Sequence, residues 1–308
     1  MASPQKQSFY SWKGITLSRK NWLKFITLGL IWGSSFLWIK IAVTEVSPFT
    51  LVALRVSFAL TTLIVILALG RIKVPLRSKW WVFLFLGAFN ISVPFMLISW
   101  AEQYIPSAIA AILNGTPPLF TIIFATIFLS DDHFTWRKLA GLVIGFGGVL
   151  ILMADNLGNG IASFTLGMAA MLVAAMFYGG SAVFARTFTK GMEPAAQAFG
   201  QQVFANLIMW PIALFVQPQF VLPKLPITWL ALAILGILCT GLATMIYYSL
   251  LHSVGPTKTM MTSYIYPVVG AILGLIFLRE PFHWTMLLGT VVIISGVIIV
   301  NWQKPVKS

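Results

Sequence analysis

The second half of this chain repeats the first, and few features constrain a fold more. Trp80, Gly87, Met96, Pro118, Phe128, Leu129, Leu139 and Gly147 recur as Trp229, Gly236, Met245, Pro267, Phe277, Leu278, Leu288 and Gly296. Each pair has the same spacing: 229 − 80, 267 − 118 and 296 − 147 all give 149. Asp131 falls on Glu280 in the same register. Nearer the start of each half the offset is 146. Trp32-Gly33-Ser34-Ser35 through Lys40 parallels Tyr178-Gly179-Gly180-Ser181 through Arg186, Pro48 meets Pro194, and Arg55 meets Gln201. Apolar stretches match often by chance, but Trp, Pro, Gly and acid positions aligning together carry weight. Such a chain builds one unit twice and packs the copies together.

The solvent for those units is lipid. Charged residues are 9% of the chain and hydrophobic ones 59%, against about 25% charged in a soluble protein. Mean hydropathy is +0.92. Apolar runs of about 20 residues recur throughout, each enough to cross about 30 Å of hydrocarbon. The pattern predicts an all-α integral membrane protein of ten transmembrane helices, near 22–43, 49–69, 80–100, 106–129, 137–154, 163–185, 193–215, 227–249, 256–278 and 282–302. Residues 1–21 form a basic N-terminal segment, 22–154 the first five-helix repeat, 163–302 the second, and 303–308 a tail. Phe9, Tyr10 and Trp12 among Lys6, Lys13, Arg19 and Lys20 suit either a segment lying on anionic lipid or a disordered one. The first apolar run is of spanning length without a small-residue cleavage pattern, so it reads as a helix and not a signal peptide.

Charge sets the direction. With the N-terminus inside, sixteen Lys and Arg fall on the cytoplasmic side, only Lys40, Lys224 and Arg279 fall outside, and Arg55 lies within a span. The positive-inside rule therefore puts both termini in the cytoplasm. Five spans per repeat is an odd number, so the repeats enter the membrane in opposite senses. They are inverted, and two opposed copies of one unit can exchange conformations to alternate access to a site near the midplane between them. The net charge of +13 sits in short loops and tails, not in a stripe, which argues against nucleic acid as a partner. Cys239 stands alone and forms no intramolecular disulfide.

The midplane of helix four reads Asn114-Gly115-Thr116-Pro117-Pro118. Paired prolines remove backbone donors and open the helix there. The aligned stretch of helix nine is Ser263-Tyr264-Ile265-Tyr266-Pro267. Asn114, Ser263, Tyr264 and Tyr266 are thus candidate substrate-binding residues, with Pro118 and Pro267 as helix breaks; a plain kink with back-bonding side chains is the alternative. Asn90, near the middle of helix three, is a ligand group or an interhelical hydrogen bond. Trp32 and Tyr178 occupy matching positions beside Gly33 and Gly179, where small residues allow close approach and an aromatic lines the gap. Trp100 is a gate or an interface anchor. Arg55 sits roughly 9 Å below the outer edge at about 1.5 Å per residue; it steers a carboxylate or pairs with Glu45 or Glu102 in an outer gate. Glycines at 141, 145, 147 and 148 serve packing within the subunit or between subunits, leaving the oligomeric state open.

These features resemble the drug/metabolite transporter superfamily, and most closely its ten-helix EamA family. The carrying residues are Trp32-Gly33-Ser34-Ser35-Phe36, Arg55, Pro118, Phe128-Leu129, Pro267, Phe277-Leu278-Arg279-Glu280 and the Gly-rich fifth and tenth helices. Asp131-Asp132 in the first half departs slightly from the acid pattern of the family. The resemblance implies export of small organic metabolites from the bacterial cytoplasm, most naturally amino acids, including aromatic ones.

Absences narrow the chemistry. All seven acids and all three histidines fall at or near helix ends, so no midplane carboxylate offers itself as a proton carrier. Facilitated diffusion or exchange is expected over coupling through a central acid. No Walker A, HExxH or Gly-x-Ser-x-Gly pattern occurs, so no cofactor, metal or enzyme activity is expected. A sugar-phosphate or nucleotide-sugar exchanger would need several cavity cations, and only Arg55 qualifies. An integral-membrane enzyme is the reading from another class, and no loop cluster of acids or histidines supports it.

Overall fold

The protein is seen in a computed structural model, which describes residues 9–12, 15–129, 135–157, 162–216, 220–281 and 283–301. Those residues form ten long helices: α1 Arg19–Val43, α2 Pro48–Gly70, α3 Trp80–Ala101, α4 Ser107–Phe128, α5 Trp136–Leu157, α6 Ala162–Phe188, α7 Pro194–Phe215, α8 Pro226–Val254, α9 Pro256–Phe277 and α10 Trp284–Asn301. Eight are long and apolar enough to cross a membrane. The other two, α5 and α10, make the most extensive helix pair.

Local chemistry fixes where the helices begin. The Ser18 and Ser47 side chains accept from the N–H groups of Asn21 and Thr50, at 3.3 and 3.2 Å, satisfying orphan donors at the first turns of α1 and α2. Pro48, Pro194, Pro226 and Pro256 open α2, α7, α8 and α9. A missing N–H costs nothing in a first turn.

The packing pattern is that of two inverted halves. Swapping each helix for its partner five places on returns the principal contacts between helices. α3 packs on α6 as α8 packs on α1, α4 packs on α6 as α9 packs on α1, and α2·α8 mirrors α7·α3. Glycines repeat the relation atom by atom. A Cβ on Gly87 would meet Gln201 O at 2.9 Å, and one on Gly236 would meet Arg55 O at 2.7 Å, the aligned carbonyl of the other half. Gly33 abuts Tyr266 and Val269, while Gly179 abuts Phe120 and Thr121.

The glycines of the fifth and tenth helices resolve into an internal seam. A Cβ on Gly148 would reach Gly289 O at 2.8 Å, and one on Gly296 would reach Gly145 N at 2.4 Å, whereas Gly147 faces open space. Gly145, Gly148, Gly289 and Gly296 thus let α5 and α10 approach at backbone distance within one subunit.

Three features differ from the sequence expectation. The N-terminal segment forms a two-stranded antiparallel hairpin, Phe9–Trp12 against Ile15–Ser18, with Phe9 opposite Ser18 and Trp12 opposite Ile15. Alternating residues around a turn pair as readily as they lie on lipid. α3 and α8 each contain a π-helical stretch, Gly87–Ser92 and Ile234–Leu242; both begin or lie where Gly87 and Gly236 are pressed by the opposing half. Finally, α9 is not opened like α4. It tightens into a 3₁₀ stretch, Met261–Ile265, ahead of Pro267.

Candidate substrate site

The break in α4 is the origin of the site. Pro117 and Pro118 lack N–H groups, so the helix stops at Leu113 and restarts at Pro117. Thr116 compensates by giving both its N–H (3.1 Å) and its hydroxyl (2.7 Å) to Leu113 O. Gly115 O accepts from Ser263 Oγ at 3.3 Å, which ties the α4 break to the 3₁₀ turn of α9 across the repeat interface. Pro267 lies beside the same glycine, its Cγ 3.6 Å from where a Gly115 Cβ would stand.

A cavity opens beside this junction, where α1, α2, α3, α4, α6, α8 and α9 converge. Trp32, Arg55, Asn90, Asn114, Tyr178, Ser263 and Tyr266 all line it, with Phe36, Phe95, Pro117 and Tyr247 among the apolar walls. Its space for the centres of water molecules is about 60 Å³, room for a few waters. The halves must therefore part to admit a metabolite. Tyr264 lies outside the lining and packs against the inner apolar cluster with Met260 and Tyr247. On a turn of three residues, positions 264 and 266 face different ways. Pro118 is buried behind Pro117. Trp100 does not line the cavity; it lies tilted against Tyr104, centroids 5.0 Å apart, at the end of α3.

The aromatic wall is held in place. Trp32 Nε1 donates to Cys239 O at 2.7 Å. Its ring lies 5.5 Å from Tyr247 and 6.4 Å from Tyr266, which in turn is 6.3 Å from Phe36. Such tilted and edge contacts are the favoured aromatic geometries.

Arg55 is 3% exposed. Its Nε donates to Thr240 Oγ1 at 2.8 Å and its guanidinium carbon lies 3.7 Å from the Phe95 ring centroid, a cation–π contact. Neither expected acid pairs with it. Glu45 accepts instead from the N–H groups of Lys224 and Leu225 (3.0 Å to Leu225), and both Glu102 oxygens lack hydrogen-bond partners. The terminal guanidinium nitrogens thus carry no hydrogen bond to the described residues, and the side chain lines the cavity. Asn114 Oδ1 is likewise buried and unpartnered. The lining holds one cation and no acid.

The glutamines of α7 went unread in the sequence, and Asn90, expected as a ligand group or an interhelical hydrogen bond, meets one of them. Asn90 Nδ2 donates to Gln201 Oε1 at 3.1 Å, and the Tyr248 hydroxyl donates to the same oxygen. Gln197, Gln201 and Gln202 are fully buried on α7. Three glutamines within six residues of an apolar helix were the available signal. Asp131 and Asp132 lie outside the described residues.

Hydrogen bonds also join the halves at the Lys-poor face. Glu280 accepts from Ser107 N–H (2.7 Å), Ser107 Oγ (3.0 Å) and Ala108 N–H (3.1 Å), capping α4 from the opposite half. Within the first half, Lys40 Nζ donates to the carbonyls of Glu102 and Ile105. The Thr228 hydroxyl, then the Lys224 and Leu225 N–H groups, hold the Glu45 carboxyl below the ordinary range.

A larger apolar recess of about 570 Å³ lies between α3, α4 and α6, lined by Phe85, Phe89, Phe124, Phe177 and Phe184. Phe128 and Phe188 at its mouth are exposed, as expected of a lipid-facing surface. The smaller cavity is the better candidate because polar groups from both halves converge there.

Two inverted five-helix units around a sparsely polar cavity lined by both define a membrane carrier. The EamA-like transporter family model matches residues 21–154 and again 165–302, and the chain belongs to that family. It is 26% identical over 286 residues to an uncharacterized transporter of Archaeoglobus fulgidus, covering 91% of this chain and 98% of that protein. It is 25% identical over 315 residues to a probable amino-acid metabolite efflux pump of Escherichia coli, covering 94% and 99%. A crystal structure with 21% identity superposes with a TM-score of 0.68 over 91% of this chain and 96% of that one, a likeness of fold.

Proposed function

We propose that this protein exports amino acids, aromatic and large apolar ones above all, across the bacterial cytoplasmic membrane. The observation that carries the reading is the pairing of Arg55, with its terminal nitrogens unengaged, and Asn114 Oδ1, an unpartnered acceptor, inside an aromatic cavity. A carboxylate meets the guanidinium through charge-assisted hydrogen bonds. An ammonium donates to Asn114 and lies against the Trp32, Tyr178, Tyr247 and Tyr266 rings. Leaving a buried acceptor unmade costs about 1–3 kcal/mol, so Asn114 rewards a ligand that supplies a donor. The similarity to a protein described as a probable amino-acid metabolite efflux pump supports the same class. The sixteen-to-three bias of Lys and Arg supports cytoplasmic termini.

In this reading the repeats 22–154 and 163–302 rock against each other, and the Glu280–Ser107 and Glu45–Leu225 ties break as the outer side opens. With no acid in the cavity lining, downhill flux needs no imposed pH gradient. An exchanger of sugar phosphates is disfavoured because a dianion needs several cations and the lining has one.

The test is uptake into proteoliposomes from a labelled panel of amino acids and sugar phosphates, with and without a pH gradient. Saturable amino-acid flux without an imposed gradient, lowered by Asn114→Ala, supports the reading. Flux of phosphorylated compounds alone would overturn it.

A further inference from the structure

Glu102 sits one residue beyond α3, where sequence position alone would put it in water, yet it has no solvent exposure. Neither carboxylate oxygen has a hydrogen-bond partner. A buried, unpaired carboxylate is costly and gives way to the neutral acid. Three charged groups are near enough to act on it electrostatically: Lys40 from α1, Glu280 from the α9–α10 connection and Arg55 from α2. Lys40 is occupied with the main-chain carbonyls of Glu102 and Ile105. Glu280 is occupied at the start of α4. α6, packed on this end through Gly167, brings no charged residue before Arg186. Arg55 is therefore the cation with nitrogens to spare, and it also lines the cavity.

We propose that Glu102 is a proton-binding site whose occupancy decides whether Arg55 is free to hold a substrate carboxylate. Neutral Glu102 leaves the guanidinium to the substrate. When the outer face opens and water reaches the side chain, the proton departs to solvent and the carboxylate competes for Arg55, releasing the substrate. Burial pushes the Glu102 carboxyl up, with Lys40 and Arg55 pulling the other way and Glu280 adding to the rise. The sign follows: the substrate-binding form is the protonated one, so affinity is highest below the Glu102 titration range and falls as pH rises through it. By reciprocity, substrate binding draws a proton onto the protein. The carboxylate half of this linkage rests on the amino-acid reading above; the proton site does not.

The experiment has two arms on the purified full chain in nanodiscs. Infrared difference spectroscopy across a pH titration reads the carbonyl stretch of a protonated carboxylic acid. Equilibrium binding of phenylalanine at the same pH values reads the linkage. The wild type should show a carbonyl band that titrates and an affinity that weakens on the order of tenfold as it does so. Glu102→Gln should lack that band and bind with little pH dependence. Glu102→Asp, which keeps an acid, should retain a titrating band with a shifted midpoint. A wild-type spectrum with no band lost in Glu102→Gln overturns the proton site. A titrating band with pH dependence of binding equal in wild type and Glu102→Gln overturns the linkage. If phenylalanine does not bind at all, the amino-acid reading fails, and the infrared arm alone upholds or overturns Glu102 as a proton site.

Discussion

Replacing Arg55 by alanine should erase the preference of the protein for a free carboxylate. Two contacts fix the guanidinium, the 2.8 Å bond to Thr240 Oγ1 and the 3.7 Å approach to Phe95. Their loss is largely offset by no longer burying an unpaired cation, so the fold should survive. The ligand has no such compensation. Truncating one partner of a buried, hydrogen-bonded charge pair costs about 2–5 kcal/mol. At 1.4 kcal/mol per factor of ten, that is a loss of roughly 30- to 4,000-fold in phenylalanine affinity. Phenylalaninamide keeps the ring and the ammonium but lacks the negative charge, so its affinity should change little in the variant. Binding is read from quenching of tryptophan fluorescence and from labelled ligand, with thermal unfolding to verify the fold. The four affinities form a double-mutant cycle that isolates the carboxylate–guanidinium term. If Arg55→Ala keeps the wild-type ratio between acid and amide, the guanidinium does not hold the carboxylate.

Other expectations concern the frame around the site. Gly296→Ala places a methyl 2.4 Å from Gly145 N and 2.5 Å from Gly141 O, so it should destabilise the α5–α10 pair by about 1–3 kcal/mol or more; Gly147→Ala, facing open space, should leave thermal unfolding unchanged. Glu280→Ala strips Ser107 and Ala108 of their shared acceptor and should cost about 1.5–3 kcal/mol, seen as faster labelling of a cysteine placed at position 107 or 108. The Glu45 tie should respond to pH. Its carboxyl is held below the ordinary range, so its contribution is complete at neutral pH and fades as pH falls through and below that range. Cysteine accessibility near Leu225 should then rise on acidification, and Glu45→Gln should abolish that rise.

Much of the fold was written in spacing. The 149-residue offset predicted that α4 and α9 would be equivalent, and Ser263 and Gly115 do meet across the interface. The 146-residue offset near the start of each half set Arg55 against Gln201, whose carbonyls receive Gly236 and Gly87 in turn. What stayed hidden was decided by contacts between helices. The π-helical stretches of α3 and α8 arise where those glycines are pressed by the other half, and no local propensity marks them. Tyr264 and Tyr266 could not be separated without knowing that α9 tightens into a 3₁₀ turn. Glu102 read as a helix-end acid able to pair with Arg55, and its full burial stayed hidden because burial at a connection depends on other helices closing over it.

A structure of the protein with bound phenylalanine tests the central claim most directly. The account predicts ligand between the two repeats, its carboxylate on Arg55, its ammonium near Asn114 and its ring among Trp32, Tyr178 and Tyr266. Ligand seated instead in the phenylalanine-lined recess between α3, α4 and α6, with the central cavity unchanged, would contradict it.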